Sequence, residues 1–232
     1  MFFDWTYIVL VLPAVIFSIW ASAKVNSTFK KYSYVRPDSG MTGAEAARRV
    51  LDANGLYNVR IERISGNLTD HFDPRTNVIR LSDSVYGVSS AAAIGVAAHE
   101  AGHAVQYAKS YFPLKLRNAI IPITNLGSRL AIPLILLGLL FSSMGSQFIY
   151  EAYAGIICFA LSTIFQLLTL PTEFNASKRA LASIKNSELL YGRDLDAAKE
   201  VLSAAAMTYV AALAVSVMQL LHLISIVGGR RR

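Results

Sequence analysis

The sequence predicts a mainly α membrane protein, with about four transmembrane helices plus a small α+β domain. Three observations lead there. Of 232 residues, 54% are hydrophobic and only 16% charged, where an average soluble domain has about 25% charged residues. The apolar residues gather in four runs, each near the roughly 20 residues of helix that a bilayer core requires. The stretch after the first run is polar instead and patterned like a folded domain.

The net charge is +7. The basic residues sit between the apolar runs, where they act as orientation signals for membrane helices. No basic and aromatic interleaving marks a base-stacking surface, so no nucleic-acid partner is expected. A single cysteine, Cys158, rules out an intrachain disulfide and a cysteine-based metal site. Any metal site must then draw on Asp, Glu and the four histidines His71, His99, His103 and His222.

Taken in order, residues 1–23 hold the first transmembrane helix, with an uncharged run from Trp5 to Ala23. A signal peptide would carry positive charge before its apolar run; here the first lysine, Lys24, comes after it. Residues 24–118 form the polar domain. "MTGAEAARRVLDANG" reads as a helix, opened by a Thr42/Glu45 capping box and stopped at Gly55. "NVRIERIS" reads as a half-exposed strand. In "HFDPRTNVIRLS", residues 73–77 form a turn before a second strand at Val78, Ile79 and Leu81. The expectation is a small hairpin. Its strand Asn77–Leu81 is expected to offer an exposed edge that accepts an extended chain by strand addition. A helix from about Ser89 to Lys109 follows, with Ser89 or Ser90 as N-cap.

Residues 119–171 supply two further spans, Ala119–Gly145 and Ala152–Pro171, with Pro171 expected to end the second. Residues 172–202 are a charged helical segment broken at Tyr191-Gly192. Residues 203–232 hold the last span, Ser203–Val227, and a basic tail. The basic residues of both polar regions place them in the cytoplasm, and the loop Ser146–Glu151, without Lys or Arg, outside. Four spans then put the tail "GGRRR" outside as well, against its charge.

The chemistry concentrates in "GVAAHEAGHAVQYA", residues 95–108. On a helix His99 and His103 lie one turn apart on one face. They can hold one cation together, through ring nitrogens at about 2.0–2.1 Å from zinc. Glu100 sits one residue round from His99, placed to take a proton from a water that the metal has acidified. This is the HExxH pattern of a zinc-dependent hydrolase. A catalytic zinc usually has three protein ligands and one open position. A third histidine six residues beyond His103 is absent, because that position is Lys109. Glu173, Glu188, Glu200, Asp194, His71 and His222 all remain open as the third ligand. Arg179, Tyr191 and His222 are further candidates to assist a developing oxyanion.

The segments "AAHEAGHAVQYA", "LTLPTEFNASKRAL" and "VLSAAAMTYVAAL" resemble the neutral zinc metallopeptidases of bacterial membranes, the YugP-like family, over nearly the whole chain. That family is in turn similar to the gluzincin-type membrane proteases. The resemblance implies that the α+β region is a zincin-like metallopeptidase domain carrying the HExxH helix. It also implies that Zn2+ is the cofactor, that Glu173 is the third ligand and that Glu100 is the catalytic base. The gluzincin-type enzymes tend to carry an aspartate four residues after the ligand glutamate. Here that position is Ser177, so support for a ligand histidine would come from Ser177, Asn175 or another group.

The expected function is an integral membrane zinc endopeptidase with a protein or peptide substrate, working beside the lipid bilayer on its cytoplasmic side. The alternative is a metal-binding membrane scaffold without catalysis. A transporter would place ionisable residues inside several spans, and few are found there.

Overall fold

A computed structural model describes residues 4–142, 144–145 and 147–229. The sequence calls on Arg230–Arg232 lie outside the described residues. The described chain is mostly helical, with one small sheet. A π-helical stretch, Tyr7–Val11, leads into α1 (Leu12–Tyr32). Then come α2 (Gly43–Ala53), β1 (Arg60–Ile64), β2 (His71–Asp73), β3 (Val78–Ser82), α3 (Ala91–Ala108), α4 (Phe112–Phe141), α5 (Phe148–Asn186) and α6 (Gly192–Gly229). Four helices, Tyr7–Tyr32, α4, α5 and α6, are long and apolar enough to cross a membrane.

The chain divides into two compact units. The first comprises the described residues of Met1–Trp20, Lys115–Leu170 and Thr208–Arg232. Helices of this kind associate through close backbone approach and hydrogen bonds between small polar side chains. Both are present. A Cβ on Gly155 would lie 2.7 Å from the Ala131 carbonyl oxygen, so only glycine lets α4 and α5 meet there. Ser128 and Ser162 hydroxyls are 2.6 Å apart, and Thr163 and Ser216 hydroxyls 2.8 Å. Ile135, Leu139, Ile156, Leu223 and Val227 form the unit's buried apolar cluster.

The second unit, Ala21–Leu114 and Pro171–Met207, holds the sheet, α2 and α3. Its core joins Val50 and Leu51 of α2, Ile79 and Leu81 of β3, and Ile94, Ala97, Ala98 and Ala101 of α3. Ala180 and Ile184 of α5 and Ala198 and Val201 of α6 complete it. The α2 start behaves as its sequence indicates. The Glu45 amide donates to Thr42 Oγ1, the Thr42 amide donates to Glu45 Oε2, and Gly55 adopts φ +74° beyond the helix end.

Two sequence expectations are corrected here. The hairpin does not pair the two longer strands. β2 pairs antiparallel with β3 through the turn at 74–77, while β1 lies parallel on the other side of β3, giving the order β1-β3-β2. Val78, Ile79, Leu81 and Ser82 are all buried, the pattern of an inner strand rather than a half-solvated one. Asn77–Leu81 therefore offers no free edge; the edges of the sheet are β1 and β2. The second correction concerns Pro171. It does not end a helix but lies inside α5. Proline costs one backbone donor and crowds the carbonyl four residues back, and a helix of 39 residues absorbs the loss.

Candidate metal centre

Three residues from two helices meet in the second unit. α3 starts on Ser90, whose hydroxyl accepts from the Ala93 amide at 3.1 Å. The helix is built largely of alanine and glycine, so its neighbours approach its backbone closely. A Cβ on Gly102 would lie 2.7 Å from the Ala176 carbonyl oxygen of α5. This close approach brings the histidine-bearing turn of α3 against the Glu173 turn of α5.

His99 Nε2 lies 3.3 Å from Glu173 Oε2, and His103 Nε2 lies 3.4 Å from the same oxygen. The two imidazole rings stand edge to face with centroids 4.7 Å apart. One donor atom from each of His99, His103 and Glu173 lies within 4.8 Å of the others, and among the described residues this is the one such group of metal-type donors. The histidine side chains are 12% and 13% exposed and the Glu173 side chain 4%, so the group is largely but not wholly shut off from solvent. Glu100, next to His99 on α3, is buried.

The opposite ring nitrogens are also engaged. His99 Nδ1 is 3.1 Å from the Ser177 hydroxyl, and His103 Nδ1 is 2.9 Å from Gln106 Oε1. Each Nε2 is thereby left facing Glu173. Burial disfavours a charged His103, but the Glu173 hydrogen bond, the Glu100 and Glu173 charges and the Gln106 acceptor outweigh it, and its pKa is raised. A negative potential that favours a proton on this ring favours a divalent cation in the same place. Two imidazole nitrogens and one carboxylate oxygen are a donor set that suits zinc. The fit rests on both Nδ1 atoms being occupied elsewhere while both Nε2 atoms and one carboxylate oxygen converge.

Of the other residues considered for the third position, none belongs to this group. Glu188 is exposed. Glu200 accepts from the Tyr32 hydroxyl at 2.6 Å. Asp194 is part-exposed at the start of α6. His71 lies exposed at the start of β2, with Nδ1 3.0 Å from the Thr69 carbonyl. His222 is buried in the first unit, where Nδ1 is 3.0 Å from Thr6 Oγ1 and its ring meets Tyr7 edge-on. Arg179 donates from Nε to Asn175 Oδ1 at 2.7 Å and lies over the Tyr111 ring. Tyr191 is 62% exposed.

Sequence reasoning missed Gln106. The signal was present: a long amide three residues after His103 falls on the same helix face, and an amide on an otherwise apolar face needs partners.

The fold and this group together define a membrane-type helical protein with a metal-competent His/His/Glu constellation. The chain belongs to the family described as "Putative neutral zinc metallopeptidase", whose match covers residues 7–228. It is 47% identical over 220 residues to the "Putative membrane protease YugP" of Bacillus subtilis (strain 168), covering 95% of this chain and 96% of that one. No solved structure matches it.

Proposed function

We propose that this protein is an integral membrane zinc endopeptidase that hydrolyses peptide bonds of membrane or membrane-adjacent proteins. The observation that carries the reading is the convergence of His99 Nε2 and His103 Nε2 on Glu173 Oε2 at 3.3 and 3.4 Å, with Glu100 beside them on α3. Family membership and the relative's name support the same chemistry.

In this reading His99, His103 and Glu173 hold the zinc. Bound there, zinc supplies Lewis acidity, polarising a carbonyl and lowering the pKa of a water toward about 7. Glu100 is the general base: its carboxylate takes the proton of the attacking water and passes it to the leaving amine. Ser177 and Gln106 engage the outer nitrogens of the two rings, so that both rings are oriented with Nε2 toward Glu173. The zincin-like character of the second unit belongs to this proposal, as does the placement of the site at the cytoplasmic side. The support for that side is the run of basic residues from Lys24 to Arg117 and from Lys178 to Lys199.

The test uses the full chain purified in detergent. Wild type is expected to hold about one zinc and to cleave an unfolded or membrane-derived peptide. Glu100→Gln should keep the zinc and lose cleavage by at least about 100-fold, the scale of general-base catalysis. His103→Ala and Glu173→Ala should lose the zinc. A wild-type protein that binds zinc but shows no cleavage dependent on Glu100 is the outcome that favours the scaffold. Absence of zinc from the wild type after reconstitution would overturn both readings.

A further inference from the structure

Gln106 is fully buried on α3 and touches three groups. Its Oε1 is 2.9 Å from His103 Nδ1. Its Nε2 is 2.8 Å from the Thr172 carbonyl oxygen and 3.0 Å from Asn175 Oδ1. Thr172 and Asn175 flank Glu173 on α5.

The polarity of this chain follows from chemistry. Arg179 Nε–H can only donate, and it lies 2.7 Å from the Asn175 side chain. The Asn175 atom facing it must be the oxygen. That oxygen also faces Gln106, so Gln106 must present its NH2 there. The Thr172 carbonyl, which can only accept, demands the same orientation independently. The Gln106 oxygen is therefore turned toward His103. An oxygen acceptor at His103 Nδ1 requires the hydrogen on Nδ1, which in the neutral, metal-binding form of the ring leaves Nε2 with its lone pair on the side of Glu173. His99 has no equivalent constraint, because the Ser177 hydroxyl at its Nδ1 can rotate to donate or to accept.

We propose that Gln106 is a positioning residue for the candidate metal centre: its amide oxygen holds the His103 ring in the Nδ1–H tautomer and so presents Nε2 as the free donor. The proposal rests on the zinc reading given above. Arg179 and Asn175 act one step further out, by fixing which end of the Gln106 amide faces the ring. Gln106 also ties α3 to α5, and the two roles are separable by substitution.

Gln106→Met fills the space and removes both ends of the amide. Gln106→Glu keeps an oxygen for His103 Nδ1 and removes the donor to Thr172 and Asn175. A residue that only tied the helices together would fail in both variants. A residue that acts by orienting His103 is rescued by glutamate. The readouts are zinc affinity by competition with a chelator and the visible absorption of the cobalt-substituted full-length protein, neither of which needs turnover. Gln106→Met is expected to lose about 10- to 100-fold in zinc affinity and to shift the cobalt bands. Gln106→Glu is expected to stay within about threefold of wild type with wild-type bands, threefold being the margin set against that 10- to 100-fold loss.

Wild-type affinity in Gln106→Met overturns the proposal, as does a loss in Gln106→Glu as large as in Gln106→Met. Should Gln106→Met not fold, Gln106→Glu decides alone: wild-type affinity and bands support the proposal, and a tenfold loss overturns it. His103→Ala in the same series separates this from the wider reading. If wild type and His103→Ala bind zinc alike, the metal centre itself is wrong. If only His103→Ala is impaired, the metal centre stands and the role of Gln106 falls.

Discussion

A single missing methyl group governs how closely the two halves of the candidate metal centre approach. Gly102 stands between His99 and His103 on α3, and a Cβ there would come within 2.7 Å of the Ala176 carbonyl oxygen and 3.3 Å of its carbon. Those are backbone atoms of a helix, which cannot rotate aside as a side chain would. Two effects of Gly102→Ala oppose each other. Alanine in a helix interior is intrinsically better than glycine by about 1 kcal/mol. Overpacking a close contact costs about 1–3 kcal/mol. The steric cost should win, so Gly102→Ala is expected to lose up to about 2 kcal/mol and to bind zinc more weakly, because the His and Glu donors are pushed apart. Thermal unfolding of the apoprotein and chelator competition check this. A variant more stable than wild type with unchanged zinc binding would show that α3 and α5 are not in tight contact.

At the scale of elements, local rules explain the helix starts and the tight turn of the second unit. Thr42 and Glu45 satisfy each other's backbone amides at the start of α2. Thr42→Ala should cost about 1 kcal/mol, read as a lower midpoint of unfolding. The turn between β2 and β3 depends on Asp73. Its carboxylate accepts from Thr76 Oγ1 at 2.7 Å, from the Arg75 amide at 3.0 Å and from Arg80 Nη1 at 3.3 Å. The Thr76 hydrogen bond, then the Arg75 amide, hold its pKa down from 3.8 to about 2. A depressed carboxylate stabilises the fold when ionised. The contribution is present above pH 3.8 and is lost as the pH falls through about 2. Wild type should therefore lose more stability than Asp73→Asn between pH 5 and pH 2, a window set by this shift. Parallel acid titrations of the two proteins would contradict the assignment.

At the scale of the molecule, the two units rest on different kinds of packing. The second has an apolar core of ordinary domain type. The first, where lipid would remove the usual hydrophobic drive between helices, relies on close backbone contact at Gly155 and on hydroxyl pairs. Gly155→Leu should force α4 and α5 apart at a cost of about 1–3 kcal/mol, measurable as a lower unfolding temperature in detergent. No change would mean that the contact at Ala131 is loose. The proposed cytoplasmic placement has its own check. Tyr57 is 73% exposed in the second unit. In a Cys158→Ser background, Tyr57→Cys should react with an impermeant thiol reagent only after the cells are opened. Labelling of intact cells would reverse the orientation.

The sequence by itself determined whatever depends on near neighbours along the chain. The four apolar runs, the capping box at Thr42, an N-cap at Ser89 or Ser90 (Ser90 in the structure) and the one-turn spacing of His99 and His103 are set by residues a few positions apart. Helical periodicity and capping act over that range. The tertiary structure alone decided which strand occupies the middle of the sheet, because inner and edge strands differ in their neighbours rather than in their own dihedral preferences. It also decided that α5 passes through Pro171, since the penalty of one proline is small against the length of helix on either side. The meeting of Glu173 with the two histidines, about seventy residues apart in the chain, and the burial of Gln106 against Thr172 and Asn175 belong to the same class. Sequence patterning and resemblance could nominate Glu173, but only packing brings its carboxylate to the rings. Helix spacing could mark Gln106 as a neighbour of His103, but its hydrogen-bond partners on α5 come into reach only when two helix backbones close to the distance that Gly102 permits.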